Sequence, residues 1–280
     1  RICLVKNQTM EYNVDEVHSR ILQILLAADK CCREHRLDYY IWAGTMIGAV
    51  RHKGFIPWDD DLDIAMPRES YDKLIVHAKE WLPAQYEMVC AENDSTYPLP
   101  FAKIQDANTT LIERMHLRYV GGIYIDVFPI DGVPDNCLKR RWHFACYEYW
   151  KRVLYLLYRD PYKHGHGPDS WIPLLCRKLY TLEFVQKQIG NLLRKYPYAN
   201  SNLVADYDDG MRGIIVKDVL GTPTPYTFEG HEVMGVKDYD AYLGNKYGDY
   251  MTIPDKDHQR QHHFHYLDLD TPYRDMEATE

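Results

Sequence analysis

The stretch GFIPWDDDLDIAMPR, residues 54–68, constrains this chain more than any other, because it crowds Asp59, Asp60, Asp61 and Asp63 between apolar residues. Neighbouring carboxylates repel and lose hydration when buried, so such a cluster persists either in open water or around a positive charge. Acidic runs are usually solvated turns. Here Phe55, Ile56, Trp58, Leu62 and Ile64 argue otherwise, since they tie the run to a core. Pro57 excludes a helix interior, and the alternation Asp61, Leu62, Asp63, Ile64 predicts a strand with one wet and one buried face. On such a strand Asp61 and Asp63 point the same way. Two hard oxygen donors side by side suit a divalent cation, Mg²⁺ or Mn²⁺, that keeps positions open for phosphate oxygens and water. Asp59 shares their parity if the strand extends back past Pro57, whereas Asp60 does not.

A third carboxylate is expected from a neighbouring strand. Asp126 in GGIYIDVFPID fits, because Ile125 and Val127 flank it as buried neighbours would and leave it aimed the other way. Asp131 competes for the place, but FPIDGVP predicts a turn there. Upstream, the aromatic run over residues 37–43 reads as a strand and leads into Gly44 and Thr45, which open a short helix over 45–51. Backbone N–H groups at a helix N-terminus bind phosphate without a charged side chain. A glycine turn that holds phosphate, followed by a D-x-D pair that holds metal, is a nucleotidyltransferase-like layout.

Periodicity predicts an amphipathic helix over 14–35, opened by Asn13 and Glu16, and another over about 69–82. Short strands are expected at 86–91, 102–105, 110–113 and 123–128. With 280 residues the chain can hold a catalytic core and an appendage. The predicted class is α+β, a nucleotidyltransferase-like mixed sheet with flanking helices plus a helical subdomain. Beyond residue 132 two long helices are expected, one ending before Pro161 and one spanning Leu174 to Leu193. The expected division is a catalytic core over 1–132, the helical subdomain over 133–200, and a C-terminal segment over 201–280 that packs on the core.

The balance of 33 Lys and Arg against 41 Asp and Glu gives −8, which excludes nucleic acid as a bulk electrostatic partner. Seven cysteines without a C-x-x-C pair read as reduced thiols of a cytosolic protein. No run approaches the roughly 20 apolar residues of a membrane span, and no basic-then-apolar signal opens the chain. A start at Arg1 leads to the expectation of an excerpt or a processed chain. The expected location is cytoplasmic, or peripheral at the inner face of the membrane. Trp142, Tyr149, Tyr155 and Tyr158 suit either a membrane face or a core.

Gly44 to Arg68, GTMIGAVRHKGFIPWDDDLDIAMPR, resembles the signature of the LicD family, G-T-L-L-G-A-x-R-H-x-G-F-I-P-W-D-D-D-[IL]-D-[IV]. Weaker echoes are FAKIQDANTTLIE, GGIYIDVFPIDGVP and the closing HH…YLDLDTPYR. The resemblance implies divalent-metal dependence and transfer of a phospho-alcohol, most often phosphocholine from CDP-choline, to a hydroxyl of a lipopolysaccharide, teichoic-acid or other cell-surface glycan precursor. Fukutin-related proteins are distant relatives that use CDP-ribitol. By position, Asp61 and Asp63 match the family's metal-binding D-x-D, and Asp126 is similar to its third carboxylate. Gly44 and Thr45 match the phosphate-facing turn, and Lys103 in FAKI resembles a lysine near the donor phosphates. The zinc-binding cysteines of some relatives have no counterpart.

On this reading Asp61, Asp63 and Asp126 are the catalytic and metal-holding residues, and Asp126, Asp59 or Asp60 takes the acceptor proton. Arg51, His52 and Lys53 are candidates for phosphate or cytidine contact. Trp42, Trp58, Tyr97 and Tyr124 are candidates for an aromatic box around a trimethylammonium group. His262, His263 and Asp268 read as a tail that shields the site or binds acceptor. Two rivals remain: transfer of NMP from an NTP to a sugar phosphate or small hydroxyl compound, and a silent scaffold that binds nucleotide or glycan.

Overall fold

The computed structural model describes residues 12–117, 119–162, 166–259, 261 and 264–277. Its first element, α1 (Val14–His35), is capped by Asn13, whose side chain accepts the Asp15 N–H at 3.0 Å. The chain continues through β1 (Tyr40–Ile41), α2 (Ala43–Arg51), β2 (Asp63–Pro67), α3 (Arg68–Trp81), β3 (Tyr86–Val89), β4 (Ala102–Asp106), β5 (Thr110–Ile112) and β6 (Tyr124–Val133). Three helices follow: α4 (Cys137–Tyr158), α5 (Pro168–Leu179) and α6 (Leu182–Leu193). The last part holds β7 (Leu203–Asp206), β8 (Ile214–Val216), α7 (Lys217–Leu220), β9 (Thr224–Phe228), β10 (His231–Gly235), α8 (Tyr239–Tyr247), β11 (Tyr266–Asp268) and α9 (Tyr273–Glu277).

The main sheet is mixed, in the order β1-β2-β6-β4-β3, with β7 and then β8 added on β6. The class is therefore α+β, as expected. Strand β6 organises it: β2 runs parallel along one edge, while the other edge pairs antiparallel with β4 near the start and with β7 near the end. Helix α1 lies against β4 and β6, and α3 against β2, β3 and β6. One core contains α1, the sheet and also Phe228, Val233 and Leu243 of the C-terminal segment. A second, smaller core beneath α4 and α6 holds Phe144, Tyr147, Val153, Val185 and Ile189. Cys31, Cys32 and Cys90 are buried, whereas Cys137 is exposed at the head of α4.

Three expectations about elements need correction. The strand β2 begins at Asp63, so Asp61 lies on the extended approach to it. Asp131 is a buried residue of β6 and accepts from Arg68 Nε at 2.8 Å; this ion pair lets the strand run on where a turn was expected. The helix expected to Leu193 breaks at Tyr180, whose backbone is extended, and restarts when the Thr181 hydroxyl accepts the Phe184 N–H at 3.2 Å.

Candidate active site

The site grows from strand register. On β6, Asp126 is level with Asp63 of β2 on one side and Lys103 of β4 on the other. Partners in register place their side chains on one face of a sheet, so two carboxylates and an ammonium stand in a row across three strands. Lys103 Nζ is 3.7 Å from Asp126 Oδ1, 3.0 Å from Glu113 Oε2, and 3.1 Å from the centre of the Tyr124 ring. The Tyr124 hydroxyl donates to the same Glu113 oxygen at 2.8 Å. Lys103 is thus buried but fixed on three sides.

The approach to β2 is braced by α2. Thr45 Oγ1 accepts the Asp63 N–H at 2.8 Å, and Trp42 N–H donates to the Asp63 carbonyl at 2.9 Å. A Cβ on Gly44 would stand 3.0 Å from Asp59 Oδ2, so glycine permits this close approach. Between them, Ala43 adopts φ +47°, a left-handed conformation that costs on the order of 1–3 kcal/mol. Tyr242 of α8 holds it there by accepting the Ala43 N–H at 3.1 Å. Thr45 is buried, and its hydroxyl supports the aspartate strand.

A cavity of about 250 Å³ opens over this row. Asp61, Asp126, Lys103 and Tyr124 belong to its lining, together with Glu113, Arg114, Phe101, and Lys151, Tyr155 and Tyr158 of α4. Asp208, after β7, faces it as well and binds Lys151 at 2.7 Å. Asp63 is outside the lining, on the side approached by α8. Burial, then Asp61 and Asp126, hold its carboxyl well above the ordinary range, against an opposing pull from Lys246. Asp126 is pushed up to about 7, chiefly by burial, with Lys103 opposing and Glu113, Asp61 and Asp208 adding to the rise. Its Oδ1 is buried without a hydrogen bond.

Other candidates fall elsewhere. Arg51 donates to the carbonyl of Tyr250 at 2.8 Å and so ties down the C-terminal segment instead of reaching the cavity. Lys53 is exposed at a turn with φ +63°, and its carbonyl accepts the Glu229 N–H. Trp58 is half-buried beside Arg51 and His52. Asp60 is buried and accepts from the Tyr12 hydroxyl. The backbone carbonyl of Asp59 meets His18 Nε2 at 2.5 Å. Of the four residues offered as an aromatic box, Tyr124 alone lines the cavity; Trp42 and Tyr97 are buried in the interior. His262 and His263 lie outside the described residues.

The sequence reading missed Glu113, Lys151 and Asp208. It also missed Asp206, which accepts from Trp42 Nε1 at 3.3 Å and is pushed up to about 8 by burial, then by Asp209 and Asp208. The signal was present in ADYDDG, a second acidic run next to an apolar strand.

Comparison with known proteins shows what the chain is similar to. Residues 36–155 match the model described as LicD/FKTN/FKRP, nucleotidyltransferase domain. The chain is 27% identical over 259 residues to the lipopolysaccharide cholinephosphotransferase LicD of Haemophilus influenzae, covering 86% of this chain and 92% of that protein. Two uncharacterised proteins of Rickettsia are similar over shorter stretches: 34% over 83 residues in Rickettsia typhi and 33% over 89 in Rickettsia prowazekii. These alignments cover 29% and 31% of this chain, and 26% and 32% of the two relatives. Over residues 36–155, therefore, the chain is similar to the nucleotidyltransferase domain described for LicD, FKTN and FKRP, and over most of its length to a LicD protein.

Proposed function

We propose that this protein is a phosphotransferase that moves a phospho-alcohol, phosphocholine from CDP-choline, to a hydroxyl of a cell-surface glycan such as lipopolysaccharide. The observation that carries the reading is the register of Asp63, Asp126 and Lys103, with Asp61 beside Asp126 and Lys103 in the lining of one cavity. Similarity to a cholinephosphotransferase over most of both chains supports the cargo and the acceptor class.

The donor set fits a divalent cation in its chemistry: besides burial, Asp61 and Asp126 raise the pKa of Asp63, Asp61 raises that of Asp126, and Asp126 Oδ1 has no hydrogen bond. Among the described residues, no three potential ligands already enclose a metal position. Asp61, Asp63 and Asp126 would hold the ion, which would supply charge neutralisation on the diphosphate. The protein's own groups do the rest. Lys103, fixed by Glu113, and Lys151, fixed by Asp208, place positive charge on two sides of the cavity. Phe101, Tyr124, Tyr155 and Tyr158 offer aromatic faces to a quaternary ammonium group. The acceptor oxygen attacks the phosphorus that bears the alcohol, the bond from that phosphorus to the CMP oxygen breaks, and the acceptor proton passes to a carboxylate of the cluster.

The test is a thermal-shift and turnover panel with CDP-choline, CDP-ribitol, CDP-glycerol, CTP and ATP, each with Mg²⁺ or EDTA. Stabilisation by a CDP-alcohol with Mg²⁺, and CMP release when glycan is added, is the expected result. Stabilisation by CTP or ATP alone would replace the reading with nucleotidyl transfer. Silence from all five would leave the scaffold reading.

A further inference from the structure

The helices between β6 and β7 leave an apolar band in water. On α4 it includes Leu138, Trp142 and Tyr149, and on α5 Trp171, Leu175 and Leu179. Trp142 and Trp171 are 74% and 70% exposed, which is far beyond what packing against either helix leaves uncovered. The spacing is helical in both stripes, and a 2.9 Å hydrogen bond between Tyr149 and Tyr180 joins them where α5 ends. Isolated apolar side chains on a surface mean little, but two such stripes on helices that pack together mark an interaction face.

Charge says what that face meets. Residues 137–200 hold 12 Lys and Arg against 4 Asp and Glu, a formal +8, whereas the rest of the chain holds 21 against 37, a formal −16. Lys139, Arg141 and Lys178 are exposed on the same two helices as the band. Aromatic and aliphatic side chains bordered by Lys and Arg form the pattern that seats a helix in the interfacial layer of an anionic bilayer. Among the described residues, no helix is long and apolar enough to cross a membrane.

We propose that α4 and α5 dock the protein on the surface of an anionic lipid bilayer. The opposite side of α4 bears Lys151, Leu154 and Tyr158 of the active-site cavity, so docking sets the cavity close to the lipid surface. What it delivers there, a lipid-linked acceptor, rests on the transfer reading; the docking itself does not.

The test is co-sedimentation of the whole chain with vesicles of equal parts phosphatidylglycerol and phosphatidylcholine, and with phosphatidylcholine alone. The expected result is binding to the anionic vesicles, at least tenfold weaker binding to the neutral ones, and weakening as salt rises. A Trp171→Ser, Leu175→Ser, Leu179→Ser variant and a separate Arg141→Glu, Lys178→Glu variant should each lose at least tenfold, with the thermal midpoint and turnover on a soluble acceptor unchanged. Equal binding by wild type and both variants would overturn the proposal. So would absence of vesicle binding, including the case in which light scattering shows that the band instead joins two copies of the chain. Sedimentation without turnover would overturn the transfer reading and leave the docking intact.

Discussion

At Asp126 a carboxylate is buried in a sheet with an acid on one flank and a cation on the other. Removing its charge changes what the cavity can hold more than how the sheet packs. Asp126→Asn and Asp61→Asn should each lower turnover about hundredfold or more while the thermal midpoint holds or rises, because mutual repulsion is relieved. Near-normal turnover in either would exclude the metal-holding role. Glu113 fixes Lys103 at 3.0 Å, and the same contact lowers the pKa of Glu113. Burial alone would raise its pKa, but Lys103, Arg114 and the Tyr124 hydroxyl outweigh that and bring it down to about 2. A carboxylate with a depressed folded-state pKa contributes stability above its ordinary value of about 4.3, and loses it as pH falls toward about 2. That contribution is about 3 kcal/mol at most. Glu113→Gln should therefore flatten the acid side of the stability profile between about pH 5 and pH 2.5, measured by urea unfolding. A profile that stays as steep as wild type would show that Lys103 does not depend on Glu113.

Helix α4 both lines the candidate site and packs against α5 and α6 over the second core. Its Lys151 binds the side chain and the carbonyl of Asp208, at 2.7 and 2.8 Å, across the cavity. Lys151→Met should lower kcat/KM for the CDP-alcohol about tenfold and leave far-UV circular dichroism unchanged. Unaltered kinetics would mean that α4 contributes shape but no charge. Nothing near Lys151 in the chain announces this, and it shows where reading a sequence stops. Periods of two and of about 3.6 are local, so α1, α3, β2 and β6 were legible from the alternation of their own residues. The D-x-D block was legible for the same reason. Asp208 reaches the cavity through the antiparallel register of β6 with β7, and Glu113 through the chain's return after β4 to meet Lys103, neither of which a local period encodes. The break at Tyr180 was hidden because α5 and α6 share one run of leucines, and a single threonine cap divides them. Asp131 was misread because its partner, Arg68, is distant in sequence, and the Thr45 contact with the Asp63 N–H was illegible for the same reason.

Taken whole, the molecule closes its sheet with residues from its last third. Strand β7 completes the edge of β6 from Ile130 to Val133, β8 adds to β7, and β11 pairs with β5 over Thr110 to Ile112. Phe228, Val233 and Leu243 lie in the same core as α1 and β2, and Tyr242 holds the strained Ala43 at the head of α2. The segment after residue 200 is therefore built into the unit that bears the aspartates. The boundaries at 132 and 200 follow sequence character, and we expect one cooperative unit to cross the second of them. The full chain should unfold in urea with the sheet and the C-terminal segment in one transition, followed by tryptophan fluorescence and circular dichroism. A chain ending at residue 200 would lose the partners of β5 and of the second half of β6, together with Lys246 and Asp206 beside the site. It should show no cooperative transition and should not bind a CDP-alcohol. If that shorter chain instead melts sharply and binds donor with wild-type affinity, the C-terminal third is an appendage, and the bracing of Ala43 and Asp63 by α8 has no part in forming the site.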